Sequence, residues 1–496
     1  MKSRVQTNVV VNLIRTITMT VLSFVTFPFV CRILGDSALG TYSWATAFVY
    51  YFLVLARISI PNIAVRECTK VKDDPVKLSM KAQEFFIIQS ITTLLSFSLM
   101  CGIIFLVPSL KDNMTLIFIV SINFLAGVLS FEWIFSALEK HTYLAIRSIV
   151  IAAIIDILIF IFVKQPEHVY LYAFICIGTT LLSVVSNLIY LPSLLKLKKD
   201  GPYNFKQYIP LLGTLFLISI AVAIYDKTDA FILGLVDPSK ASVGTYSVAM
   251  KGVEIVIGLI SSLSTVFIPR ATYYYSNNDP KQFKNLNRYA MNLCLFITIP
   301  AVALMIGLAT PITGLISGNY AVGGYDGVSY VLIALASLMV TFSCSFVIYT
   351  QILIPQNKQK LYLYTMGIGA LVNILLSLLF SLVVFKDQPA LGVAIGTAIT
   401  DAMILVFLIY LTYQDSKELL FNINNLKIFV FGIILGLFSY FVSPYFYNIF
   451  VYDLGIETAY LLEILIVFGI SAVIYLLGLF LSKEKLINSF RRKSVN

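Results

Sequence analysis

Arg15 and Arg57 are guanidiniums set inside apolar stretches long enough to cross a membrane. An ionisable side chain at the bilayer centre costs about 2.5–3.5 kcal/mol on insertion scales, so it pairs, lines water or meets a charged ligand. Asn8, Asn12 and Arg15 are spaced four and three apart and share one helix face. Ser43, Tyr50 and Arg57 share another, at seven-residue spacing. A guanidinium binds phosphate oxygens as a planar fork, so two arginines with two asparagines suit a dianionic head group. The competing reading is that both arginines snorkel to the nearer interface.

Other polar groups fall at helical spacing. Ser247, Lys251, Glu254, Gly258, Ser261 and Thr265 step by four, three, four, three and four, a polar face through an apolar helix such as a cavity wall requires. Lys251 and Glu254 either meet a ligand or neutralise each other. Asp156, Asp226, Asp229 and Asp401 are carboxylates within or near spans. Asn373 lies one turn from Ser377, and Thr397 one turn from Asp401. Carboxylates, an amide and a hydroxyl of this kind suit a proton or sodium site. Asp226 and Asp229 have a second reading as solvated groups at an outer mouth. Some tyrosines, such as Tyr50 and Tyr246, are candidates for stacking on rings.

The elements that must carry these groups are transmembrane helices. A mean hydropathy of +0.90, with 59% hydrophobic and 12% charged residues, excludes a soluble globular domain. Fourteen apolar stretches are expected to span the bilayer: 8–30, 41–63, 84–107, 115–137, 143–163, 169–191, 208–232, 242–268, 289–310, 328–354, 361–385, 389–412, 427–448 and 458–481. They lack the period-two alternation of barrel strands. With the N-terminus in the cytoplasm, 26 of the 35 lysines and arginines fall in cytoplasmic segments and 6 in outer loops, Lys227 among the latter. Only Arg15, Arg57 and Lys251 stay within spans. This is the positive-inside pattern, with both termini cytoplasmic. The net charge of +10 therefore reads as topology and contact with anionic lipids, not as a nucleic-acid footprint. The expected loops are short, the longest (around 63–84, 191–208 and 268–289) cytoplasmic. No GxxxxGK[ST], HExxH or GxSxG pattern occurs, and two scattered histidines make a zinc site very poorly supported. No cofactor or metal is expected beyond coupling to H+ or Na+.

The chain repeats itself. Gly40-Thr41-Tyr42-Ser43 recurs as Gly244-Thr245-Tyr246-Ser247, and Pro61 with Arg66 recurs as Pro269-Arg270. Ile177-Gly178-Thr179 recurs as Ile395-Gly396-Thr397, each followed by Ile-Tyr-Leu at 189–191 and 409–411. The offset is six spans, an even number, so the halves run parallel about an axis along the membrane normal. The expected fold is an all-α integral membrane protein of about fourteen transmembrane helices. It comprises a six-helix lobe over 1–200, a second over 201–415 related by a pseudo-two-fold, and two further helices with a basic tail over 416–496. A substrate site is expected between the lobes near mid-membrane.

Phe27-Pro28-Phe29-Val30-Cys31-Arg32-Ile33-Leu34-Gly35, then Leu39-Gly40-Thr41-Tyr42-Ser43, then Arg66-Glu67 before a basic loop, resembles the opening of the polysaccharide transporter family. Asp229 ahead of Gly234 and Val243-Gly244-Thr245-Tyr246-Ser247 resemble its second half. These are Wzx-type flippases of the multidrug/oligosaccharidyl-lipid/polysaccharide superfamily, and the resemblance covers essentially the whole chain. It implies export of polyprenyl-diphosphate-linked oligosaccharide across a bacterial plasma membrane by alternating access, with polysaccharide polymerase machinery as a partner. Substrate contact then falls to Arg15, Arg57, Asn8, Asn12, Tyr50, Lys251 and Glu254. Cation coupling falls to Asp229, Asp226, Asn373, Thr397, Asp401 and Asp156. The rivals are a multidrug/cation antiporter, a peptidoglycan-precursor flippase, and an enzyme that polymerises or ligates the same glycolipids. The last ordinarily needs an outer loop larger than any here.

Overall fold

The computed structural model describes residues 2–195, 202–318 and 324–484. The side chains of Asn8, Asn12 and Thr265 lie outside the described residues. Among the described residues, twelve helices are long and apolar enough to cross a membrane. Helix α1 (Lys2–Arg57) carries two expected spans, separated by a break at Gly35 (φ 69°, ψ 177°). Its second part ends where Ile58 and Ser59 turn to positive φ, ahead of α2 (Ile60–Lys70) and α3 (Pro75–Leu106).

The expected single span 115–137 is in pieces. After the short α4 (Pro108–Lys111) come α5 (Met114–Ser121), α6 (Asn123–Leu129) and α7 (Glu132–Ala137), then α8 (His141–Phe162) and α9 (Val169–Tyr190). The seventh expected span is α10 (Ile209–Val236), which completes the fourteen. It runs four residues beyond the predicted end at 232, and Lys227, counted with the outer loops although the expected span contains it, lies well inside the helix. The remaining helices are α11 (Ala241–Ser276), α12 (Pro280–Gly307), α13 (Ala309–Ser317), α14 (Gly324–Ile348), α15 (Gln359–Leu379), α16 (Pro389–Leu411), α17 (Tyr413–Leu420), α18 (Ile423–Leu454) and α19 (Ile456–Leu481). Two of the expected long loops are largely helix. α2 and the start of α3 fill 63–84, and α11 and α12 leave only 277–279 between them.

Breaks and prolines in the helices expose carbonyls, and side chains from neighbouring helices meet them. A buried carbonyl without a donor is costly in hydrocarbon. At the Ile58–Ser59 break, Thr92 Oγ1 donates to the Ala56 carbonyl at 2.6 Å. Along α11, whose Pro269 lacks an N–H and crowds the preceding turn, Gln351 Nε2 donates to the Ser264 carbonyl at 2.8 Å. Ala56 and Ser264 each lie five residues before the repeated proline, Pro61 or Pro269.

Helix caps repeat as well. Asp74 Oδ1 accepts from the N–H groups of Val76 and Lys77, both at 3.1 Å, to start α3. Asp279 Oδ1 accepts from Gln282 N at 3.1 Å to start α12. Each is followed by proline at the first helical position, where a missing N–H does no harm. Ahead of the Gly-Thr-Tyr-Ser repeats, Asp36 Oδ1 accepts from Ser37 N at 2.8 Å. Asp237 accepts from Ser239 N at 2.9 Å and from Ser242 N at 2.8 Å.

The chain divides into two compact units, Met1–Phe231 and Ile232–Asn496. The first includes most of α10, so the division comes later than the expected lobe boundary at 200/201. Its core at one end gathers Ile60, Ile63, Phe85, Trp133, Ile134 and Tyr208. There the stretch leading into α10 is tied to α3. The fully buried Glu84 accepts from Tyr208 Oη at 2.6 Å, Asn204 N at 2.7 Å and Lys81 Nζ at 3.0 Å. In the second unit α14 packs against α11, α12 and α16. Helices α18 and α19, expected as a separate addition, belong to this unit, with α18 seated on both α12 and α19. The approach to α12 is close. A Cβ at Gly432 would collide with Ile299, and one at Gly307 with Ser439.

Two outcomes test these contacts. Gly432→Leu overpacks the α12–α18 seam and is expected to cost about 1–3 kcal/mol of thermal stability in detergent. Gly469→Leu, where a side chain meets open space, leaves the unfolding midpoint unchanged. Burial pushes the Asp237 carboxyl up, but hydrogen bonds from Ser239 and Ser242 outweigh it and hold the group below its usual range. A depressed carboxyl stabilises above its unfolded pKa, and the contribution is lost as pH falls through the folded value. Asp237→Ala is therefore expected to cost about 1 kcal/mol near pH 7, as loss of a capping acceptor does. That deficit should shrink as pH falls below about 4, measured by thermal unfolding at a series of pH values.

Candidate substrate site

The second part of α1 runs unbroken from Asp36 to Arg57, so Ser43, Tyr50 and Arg57 do share a face. Arg15 is half-buried and Arg57 exposed. They lie about twenty residues before and after the Gly35 break, roughly 30 Å of helix in each direction. Neither guanidinium is in an ion pair among the described residues. Asn8 and Asn12 belong to α1 by backbone, and their side chains are outside the described residues.

Tyr50 meets groups from α10. Lys227 Nζ lies 5.6 Å from the centre of the Tyr50 ring and 3.4 Å from Asp226 Oδ2. The Tyr50 hydroxyl is within electrostatic reach of Asp226, Lys227 and Arg57. Next to it Tyr51 exchanges a hydrogen bond with Thr228 and packs edge-on to Phe231 at 5.7 Å. Asp226 is therefore the counter-ion of Lys227, while Asp229, one turn on, is buried.

The polar face of α11 is its open face. Ser247, Lys251 and Ser261 are half-buried, and Glu254 and Gly258 exposed. Lys251 Nζ lies 3.5 Å from Glu254 Oε2, so the pair neutralises itself within the helix at the long end of salt-bridge range.

The cation-coupling candidates separate. In the second unit Asn373 Nδ2 donates to Thr397 Oγ1 at 2.9 Å, and Asp401 is buried one turn along α16. Asn373 Oδ1 and Ser377 Oγ are buried oxygens with no hydrogen-bond partner among the described residues. Of the four candidates on α15 and α16, Asn373 and Thr397 are brought into direct contact, with Ser377 packed against the backbone at Gly396. Asp156 stands elsewhere, on α8 in the first unit, facing Thr26 of α1.

Sequence reasoning counted Arg147 with a cytoplasmic segment and missed its role. Its side chain is 5% exposed. It donates to Glu132 and to Asn187 Oδ1, and Asn187 Nδ2 donates to the Ser130 carbonyl. That carbonyl is free because Phe131 adopts φ 47° and Ile134 N bonds Phe131 O instead. Arg147 is a strut across α7, α8 and α9. The signal available in the sequence was an arginine well inside the helix that begins at His141, facing Glu132 and Asn187 in adjacent spans.

Residues 5–275 match the model of the family described as polysaccharide biosynthesis protein. This chain belongs to that family. Residues 214–379 also match the model described as MatE. A protein of Escherichia coli (strain K12) named "Putative O-antigen transporter" is 22% identical over 390 residues, which cover 77% of this chain and 90% of that protein. Among solved structures, the lipid II flippase MurJ in an inward closed conformation has a TM-score of 0.58 at 20% identity, covering 96% of this chain and 99% of its own. An inward-facing MATE multidrug transporter of the MOP superfamily has a TM-score of 0.58 at 14% identity, covering 81% and 95%. Family and fold together make this chain a multi-pass membrane transporter of that superfamily.

Because Arg147 is buried and both of its terminal guanidinium nitrogens are bonded, removing it strands Glu132 and Asn187. Breaking such a pair costs about 3–5 kcal/mol when fully buried, and less here because Glu132 is half-exposed. Arg147→Ala is expected to reduce the monodisperse fraction on size-exclusion chromatography in detergent, whereas Arg57→Ala leaves it at the wild-type level.

Proposed function

We propose that this transporter flips polyprenyl-diphosphate-linked oligosaccharide units from the inner to the outer leaflet of a bacterial plasma membrane, by alternating access, for surface polysaccharide synthesis. The observation that carries the reading is that two guanidiniums, Arg15 and Arg57, have no ion-pair partner among the described residues, in a chain of the polysaccharide biosynthesis family. A diphosphate supplies the anion they lack. Burying it in hydrocarbon costs tens of kcal/mol by Born estimates, and a hydrated basic passage removes most of that. The lipid tail stays in the bilayer while the head group and sugars cross. With the cytoplasm negative inside, carrying two negative charges outward gains about 4.6 kcal/mol per 100 mV.

The potential alone favours export, and coupling to H+ or Na+ adds to it. The bonded pair Asn373 and Thr397, with Ser377 and Asp401 one turn away on either helix, supplies the coupling residues this reading uses. Anionic lipids contact the basic cytoplasmic segments, and the polysaccharide polymerase receives the product. The match to the MatE model raises a drug/cation antiporter as the rival. That activity expects acidic cavity residues, whereas the first six spans set Arg15 and Arg57 against Asp156, and Asp226 is paired with Lys227.

Arg15→Ala and Arg57→Ala are each expected to abolish surface polysaccharide at normal protein level, measured by glycan blotting beside membrane immunoblots of a complemented deletion strain. Normal export by both variants, or drug sensitivity as the deletion's only phenotype, sinks the reading.

A further inference from the structure

Lys227 lies inside α10, roughly 14 Å of helix before its Val236 end. Its side chain is 32% exposed and that of Asp226 50% exposed. An ion pair this open at this depth is tolerated only against water, since acyl chains solvate neither charge. The back of the cluster is dry and aromatic. Phe231 stacks on Phe48 at 6.4 Å and meets Tyr51 edge-on, and Thr228 beside Tyr51 is buried. The front therefore presents a half-exposed aromatic ring, an ammonium and a carboxylate on a rigid backing.

That combination is the chemistry of a sugar. The C–H face of a pyranose packs on an aromatic ring, which brings a large contact area at little entropic cost. Its hydroxyls donate to a carboxylate and accept from an ammonium, and such charge-assisted bonds are roughly twice as strong as neutral ones. Position agrees with chemistry. Arg57 lies two turns from Tyr50 on the same face, about 10 Å along the axis. Long side chains at that spacing can meet on one ligand, the guanidinium at its diphosphate and the tyrosine at the first rings of its glycan.

We propose that Tyr50, Asp226 and Lys227 form a sugar subsite that holds the first pyranose rings of the lipid-linked glycan while Arg57 holds its diphosphate. The inference rests on the flippase reading above and extends it, and it takes Asp226 out of the ion-coupling set.

The test is binding by the purified full chain in lipid nanodiscs. The probes are undecaprenyl diphosphate and four of its glycosides, carrying N-acetylglucosamine, N-acetylgalactosamine, glucose or galactose. At least one glycoside is expected to bind about tenfold tighter than the bare carrier, the gain of a charge-assisted hydrogen bond. Tyr50→Ala and Asp226→Asn erase that gain and leave the affinity for undecaprenyl diphosphate unchanged, while Tyr50→Phe keeps most of it. Thermal midpoints identify any variant that fails to fold, and Asp226→Asn, which is isosteric, decides the matter if Tyr50→Ala is lost. No preference for any glycoside, or equal weakening of bare and glycosylated carriers by Asp226→Asn, overturns the subsite. Arg57→Ala separates the two readings. Loss of bare-carrier binding there upholds the diphosphate role whatever becomes of the subsite, and retained binding removes it.

Discussion

A charge held in hydrocarbon must find a counter-charge, a ligand or water, and this chain answers that demand in different ways at different cations. Arg147 is buried among Glu132 and Asn187 with its bonds made inside the protein. Lys251 and Lys227 each take a carboxylate from their own helix, Glu254 and Asp226, and stay partly open. Arg15 and Arg57 take none among the described residues. The gradient from paired and buried to unpaired divides scaffold from site more sharply than depth or residue type does. Replacing Arg147 removes a strut, whereas Arg57 already stands where only solvent or an anion completes it.

The backbone obeys the same demand. Peptide groups at an opened turn cannot be left to acyl chains, and three such turns recruit a side-chain donor. Thr92 serves Ala56, Asn187 serves Ser130 and Gln351 serves Ser264. The two halves share the proline and the carbonyl five residues before it, yet solve the problem differently. The first half breaks its helix outright at Ile58–Ser59, while the second keeps α11 continuous and reaches in with a glutamine. What the repeat preserves is the opened turn. The donor that satisfies it has diverged.

Much of the fold was legible in the sequence, because span length, loop charge and the six-span repeat are physical signals of long range. The fourteen spans and the Ser43–Tyr50–Arg57 face stood as expected. Other features depend on single partners far away in the chain. The break at Phe131 has no local signal, since no glycine or proline marks it; it is held by Asn187, 57 residues on. Lys227 was counted with the outer-loop cations, although the expected span 208–232 contains it, because hydropathy dips around Asp226, Lys227 and Asp229. A helix pays no penalty for charge that faces water, so the dip marked an open face and not an end. The loops at 63–84 and 268–289 misled in the opposite sense: they are polar because they are amphipathic or exposed helix, capped by Asp74 and Asp279.

The last two spans show why composition could not decide where they belong. Between helices in lipid there is no hydrophobic driving force, because acyl chains are as apolar as leucine, so association depends on close packing and polar contact. Helix α18 offers Gly432, Gly436 and Ser439 on one face, against Ile299, Ala303 and Gly307 of α12. The two series rise together, as parallel helices require. On its other side Ser439 meets Ser471 of α19 at 3.3 Å, and Ser443 donates to the buried Glu463. Small residues let the backbones approach, and the hydroxyls then bond across the seam. Hydropathy treats glycine and serine as interruptions of an apolar run, which hides the face they build. The spacing of Gly432 and Gly436, four apart in an otherwise apolar stretch, is the part of the sequence that carried the docking.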